Sequence, residues 1–377
     1  MKKTLYSTTA LAAAGLFALT GTDAAAQNAP EKISLGLGGF MKSWVSYSEQ
    51  ESAFEDANNA HYGSMNIIND SEVYFRGNTT LDNGVRVDVV VQLETDQARA
   101  NSGSVIDETY LKLTGGFGDL RMGSTKGASF VLGKNAPING IIHSYNPDTL
   151  NFVINPNGQA FFTAAVDIGA GDHMKIAYFT PKMSGFQAGV TYVPSTSNSD
   201  TPAISGGAAS GTSAETSLAD LAITYDGNFG DASVGVTGAV WKSDGSGTSD
   251  YTGYSIGAKV GFAGFTIGGR WGEHDDDQGN VTTGSSIADQ ESYNLGVSYK
   301  TGAWTVGASV GHREAPVTEG STRDDSSTVY SVGAKYNIGP GVDVGGNILM
   351  AEYEDTTTAA GSNNEGWAVV AGVNVAF

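Results

Sequence analysis

From about residue 32 onward, apolar and polar side chains alternate in runs of about ten residues or more, and this period of two predicts strands with one apolar and one polar face. The first run, Lys32 to Ser48, sets Leu35, Leu37, Met41, Val45 and Tyr47 against Ser34, Gly36, Lys42 and Ser46. In SEVYFRGNTTL, Val73, Phe75 and Leu81 oppose Glu72, Arg76 and Asn78, and the DNG that follows, Asp82 to Gly84, is a hairpin signal. VRVDVVVQLE then sets Val85, Val87, Val89, Val91 and Leu93 against Arg86, Asp88, Gln92 and Glu94. The pattern continues through ETYLKL, the turn GGFG and DLRMGS. After a long interruption it resumes at HMKIAYFTP and runs on in hairpin-like pairs to the closing GWAVVAGVNVAF.

The count is sixteen strands, an even number within the range of outer-membrane barrels. Their connections alternate in length. Short turns fall near Asn83, Phe117, Lys182, Asn228, Ala263, Thr301 and Gly339, and longer polar loops fall between them. Such alternation fits an up-and-down barrel with both chain ends on the short-turn rim. Trp367, Val369, Ala371, Val373, Val375 and Phe377 share one face of the last run. Pairing that run with the first would close the sheet and leave no edge, a requirement in lipid, where an unsatisfied backbone group costs several kcal/mol. The predicted fold is therefore all-β, a sixteen-stranded antiparallel transmembrane barrel.

Hydropathy by itself does not reveal such a protein. The mean is −0.16, because only alternate residues face lipid. The exception is the N-terminus, where Lys2 and Lys3, an apolar stretch from Leu11 to Leu19 and Ala24 to Ala26 read as a secretory signal peptide over 1–26, with the barrel over 27–377. The stretch is too short for the roughly 20 residues of a spanning helix. A net charge of −20 argues against nucleic acid as a partner. With no cysteine there are no disulfides and no cysteine metal site, and 52 glycines argue against a helical fold.

GFGDLRMGS, KIAYFTPKMSGFQAGVTYVP after the longest loop, the strand count and the terminal aromatic together resemble the general porins of Gram-negative bacteria, above all the alphaproteobacterial branch. The likeness covers nearly the whole chain after the leader. It implies a homotrimer of water-filled barrels in the outer membrane, surrounded by its lipids and lipopolysaccharide. Phe377 would be the C-terminal signal read by the barrel-assembly machinery. The cargo would be small hydrophilic solutes and ions, crossing by passive diffusion with no cofactor.

A sixteen-stranded barrel is too wide for side chains to fill, so something must set its size limit. The connection 127–171 is about 45 residues long and rich in apolar clusters such as FVL, INGII, FVI and FF, which is improbable for a structureless excursion into water. Folding inward would bury part of that surface and narrow the lumen. By strand parity Lys42, Arg76, Arg86, Lys112 and Arg121 point into the lumen from the first five strands. The resemblance places acids on the inward loop opposite such a basic wall, and here these would be Asp148 and Asp167, with Asp88 and Glu94 as further lumen acids. Ser124 stands where many relatives have arginine, and Lys126 could substitute for it. The excess of acids elsewhere suggests a mild preference for cations.

Catalytic motifs fail on context. GASVG, Gly307 to Gly311, matches a nucleophile elbow but lies within an alternating strand. GASFVLGK has one residue too many for a phosphate loop. His61, His143, His173, His274 and His312 have no metal-ligand spacing, so neither a catalytic nor a metal site is expected. A substrate-specific, saturable channel or a surface adhesin on the same barrel remains as an alternative, although Trp44, Trp241 and Trp304 are scattered rather than aligned along one sugar path. A barrel-embedded hydrolase comes last.

Overall fold

The computed structural model describes residues 33–58, 63–95, 106–142, 144, 152–156, 172–194, 215–245, 251–276, 290–316, 324–355 and 361–377. The signal segment, Asp148 and Asp167 lie outside them. Sixteen strands run β1 Ser34–Gln50, β2 Met65–Thr80, β3 Arg86–Glu94, β4 Ile106–Gly115, β5 Gly118–Ser124, β6 Met174–Phe179, β7 Phe186–Val193 and β8 Glu215–Phe229. They continue as β9 Ala232–Gly245, β10 Tyr251–Phe262, β11 Phe265–Asp276, β12 Gln290–Thr301, β13 Trp304–Pro316, β14 Asp324–Gly339, β15 Val342–Glu354 and β16 Asn364–Ala376. Each pairs antiparallel with its neighbours in sequence, and β16 pairs with β1, so the sheet is a closed barrel.

Closure reaches the last residue. The β1–β16 register runs from Gln50 opposite Gly366 to Phe40 opposite Ala376. Beyond it Phe377 N donates to Gly39 O at 3.0 Å and Gly39 N donates to Phe377 O at 2.9 Å. Two helical turns complete the described chain, α1 Ser52–Ala57 and α2 Ala128–Leu132. β2 begins at Met65, several residues earlier than the hydrophobic pattern suggests, because Met65 and Ile67 continue its apolar face beyond Asn69 and Asp70.

Burial runs opposite to that of a water-soluble sheet protein. The apolar residues of alternate positions are the exposed ones: Leu35, Leu37, Met41 and Val45 on β1, Ile256 and Val260 on β10, Leu295 on β12, Ile348 and Met350 on β15. This outward apolar band is what a lipid-facing barrel presents. Aromatic pairs flank it at both ends. Phe186–Tyr225, Phe265–Tyr299 and Trp304–Tyr336 sit near the short turns, with ring centroids 4.8, 4.5 and 4.9 Å apart. Tyr47–Trp367 and Tyr254–Trp271 sit toward the long loops. These rings form the interfacial girdles expected of such a barrel.

The buried side chains lie on the inner face. Three apolar clusters occur there, around Phe179, Leu218 and Trp241, around Trp44, Phe152 and Leu349, and around Val153, Val329 and Tyr353. Each of the three includes residues of the connection between β5 and β6, so the barrel's core is made by chain that lies inside it.

Candidate functional site: the barrel lumen

After β5 the chain leaves the wall at Thr125, turns through α2, and runs along the inner surface across the strands that follow. Beyond the bonds within α2, many of its polar groups pair with the barrel wall, its backbone groups chiefly with inner-face side chains. Ser129 N and Oγ donate to Asp220 Oδ2 of β8 at 2.9 and 3.1 Å. Thr237 Oγ1 of β9 donates to Leu132 O at 2.6 Å. Ala136 N donates to Asn294 Oδ1 of β12 at 2.7 Å, and Asn139 Nδ2 to Ser331 O of β14, also at 2.7 Å. Ile141 N and Ile142 N share Asn347 Oδ1 of β15 at 2.9 and 3.2 Å. Farther along, Gln50 of β1 and Asn364 of β16 clasp Ile154 through its N–H and its carbonyl, at 3.1 and 2.7 Å.

This close seating needs room, and glycines on the inner face supply it. A methyl group built on Gly257 of β10 would stand 2.3 Å from Lys134 O, and one on Gly333 of β14 would stand 2.2 Å from Asn139 O. Ala136 and Asn139 pack in the same way over Gly296 of β12 and Gly307 of β13, where a methyl would come within 3.1 Å of each Cβ. The segment thus lies in a track of missing side chains that crosses β10 to β14. Neither this track nor the anchors Asp220, Asn294 and Asn347 were singled out by sequence reasoning. The signal open to it was an amide or acid interrupting an inner face otherwise made of Ser, Thr, Gly and Ala.

The wall of β1 to β5 carries the basic residues named from the sequence. Lys42 Nζ pairs with Asp70 at 2.5 Å, directly across the β1–β2 register. Arg76 lies over the Tyr74 ring at 5.2 Å. Arg86, more than half exposed at the start of β3, forks onto Asp88 at 2.8 and 2.9 Å. Asp88, Lys112 and Arg121 follow one another across β3, β4 and β5 in a single register row. Arg121 reaches Asp119 only at 3.8 Å and rests over the Phe179 ring at 4.6 Å. The row is therefore cationic with one acid at its end, and Asp88 stands on the same wall as the bases.

Glu94 is also on this wall, beside an acid, Asp107, that parity alone did not turn inward. Between β3 and β4 the register shifts, with Val91 opposite Thr109 but Leu93 opposite Ile106. Two residues, Asp107 and Glu108, therefore face one. Asp107 joins Glu72 and Glu94 in a group whose carboxylate oxygens lie within 4.8 Å of one another, while Glu108 accepts from Thr125 Oγ1 at 2.8 Å. Lys126 bridges this region, 2.6 Å from Asp172 and 4.0 Å from Glu108. Burial opposes the charge of Lys126, but the hydrogen bond and charge of Asp172 outweigh it and hold the ammonium above the ordinary lysine range. Lys134 pairs with Asp226 of β8 at 2.9 Å. On the wall, cations dominate nearer the short turns and carboxylates dominate toward the long loops.

A closed antiparallel barrel that is apolar toward lipid, polar inside and partly occupied by its own chain defines the class of outer-membrane channel barrels. The sequence agrees: a family profile described as Gram-negative porin matches residues 7–374, and the chain belongs to that family. No curated protein matches it by sequence. Among solved structures it is similar to an anion-selective porin from Comamonas acidovorans, with a TM-score of 0.63 at 19% identity, covering 92% of this chain and all of the other. A triple mutant of the Rhodopseudomonas blastica porin gives 0.57 at 17% identity, covering 91% of this chain and 100% of that one. OmpT of Vibrio cholerae, in a trimer form, gives 0.58 at 13% identity, again over 91% and 100%. At these identities the likeness concerns the fold alone.

Proposed function

We propose that this porin is a general diffusion channel: small hydrophilic solutes and ions cross the outer membrane passively through its water-filled lumen, which the connection 127–171 narrows. The observation that carries the reading is the line of hydrogen bonds from Ser129 to Ile154 onto inner-face side chains. Chain held in that way occupies part of a lumen that sixteen strands leave open. Lys42, Arg76, Arg86, Lys112 and Arg121 form the basic side of the constriction in this reading, and Asp148 and Asp167 are its loop acids. Asp88 and Glu94 modulate the wall. Opposed charges across a narrow gap order water and favour polar solutes over apolar ones.

A mild cation bias is the proposed selectivity, supported by the net charge of −20 and by the Glu72, Glu94 and Asp107 group. A homotrimer is proposed from the family and from the trimer form of the Vibrio cholerae neighbour, with lipopolysaccharide and other outer-membrane lipids around it and Phe377 as the mark read during barrel assembly. The test is swelling of proteoliposomes in a series of sugars of rising size, with oligomer size measured in detergent. Entry that falls steeply with solute size and is not saturated by concentration is expected. Saturable entry of one sugar would favour a substrate-specific channel instead.

A further inference from the structure

α2 packs on the wall through Ala128, Ser129 and Leu132, all buried. Its other two residues, Phe130 and Val131, are 45% and 37% exposed. They stand on chain inside the barrel, so they meet the lumen and not lipid. Apolar side chains presented to channel water lose contact energy unless a solute covers them, whereas the apolar clusters of the inner face are buried. One cation adjoins them: Lys126 Nζ is 5.8 Å from the Phe130 ring. Arg121 lies over Phe179, which belongs to the same apolar cluster as Ala128 and Leu132. Beside Arg121 in its register row stands Lys112, which among the described residues has no carboxylate within salt-bridge distance.

Resting on the porin reading above, we propose that Phe130 and Val131, with Lys126 next to Phe130 and the Arg121–Lys112 row bordering the apolar cluster on which α2 packs, form a weak subsite for organic anions that carry an aromatic or branched apolar group. The carboxylate of such a solute meets the cationic row while its apolar part covers the exposed face of α2. The small-ion bias follows from the summed lumen charge. Retention of an amphipathic anion is a contact at one place, so the two are independent.

The test uses the native protein in planar bilayers in potassium chloride, with potassium 3-phenylpropionate or potassium gluconate added to both sides. Phenylpropionate is expected to reduce the open-channel current saturably, and gluconate is not. Normalised to each variant's own chloride conductance, Phe130→Ser and Arg121→Gln weaken the apparent binding constant at least about threefold, and Phe130→Tyr retains it. Equal effects of the two anions, or an unchanged constant in Phe130→Ser or in Arg121→Gln, would overturn the subsite. A native protein that inserts but does not conduct would overturn the porin reading itself, and the subsite with it.

Discussion

Adding one methyl group at Gly333 should change conduction while leaving the barrel wall in place. The methyl of Gly333→Ala would fall 2.2 Å from Asn139 O and 2.3 Å from Asn347 Nδ2. Ordinary contact needs about 3.5 Å, so the inner segment or the Asn347 amide must retreat by roughly 1 Å. Overpacking of this kind costs about 1 to 3 kcal/mol. The β14 backbone is paired along its length with β13 and β15, whereas the segment is held by separate side-chain bonds. The segment is therefore the part that yields, and it yields toward the lumen. Gly238 on β9 supplies the control, since a methyl there meets nothing within 4 Å. Single-channel recording is the assay: Gly333→Ala lowers the mean conductance and broadens its distribution, and Gly238→Ala matches the native channel. Identical traces for the two variants would refute the idea that the glycine track seats the segment.

Further outcomes follow from the same geometry. Asn347→Leu leaves the Ile141 and Ile142 N–H groups unpaired at about 1 to 3 kcal/mol each, and limited proteolysis should then cut within 136–144 at a protease dose expected to spare the native chain. Asp220→Ala frees Ser129 and should increase current noise without changing the oligomer, as judged by sizing in detergent. Arg121→Gln and Lys112→Gln each remove a positive lumen charge, so the reversal potential in a salt gradient should move toward stronger cation preference. Deleting Phe377 removes both backbone bonds to Gly39 and should lower the temperature at which the folded barrel unfolds on a gel.

Much of the fold was legible because a lipid-facing barrel writes its two faces into alternate positions. Val45 and Tyr47 against Lys42 and Ser46 already separate membrane from lumen, and the structure keeps that division on β1. Parity also turned Arg76, Arg86, Lys112 and Arg121 inward. It could not find Asp107, because a bulge opposite Gln92 turns two consecutive acids the same way. It likewise could not find the anchors, since the partner of Asn347 lies about two hundred residues earlier in the chain, at Ile141. Gly257 and Gly333 look like any other strand glycine until chain is seen crossing them. Asp148 and Asp167 rest on the resemblance and lie outside the described residues.

The central claim is that the lumen is an open, water-filled path narrowed from within. Single-channel conductance of the purified protein in planar bilayers, with salt concentration varied over a wide range, tests it most directly. Stepwise insertion with ohmic current that rises in proportion to bulk conductivity is the predicted result. Stable insertion with no current, or a current that saturates at low salt, would contradict it.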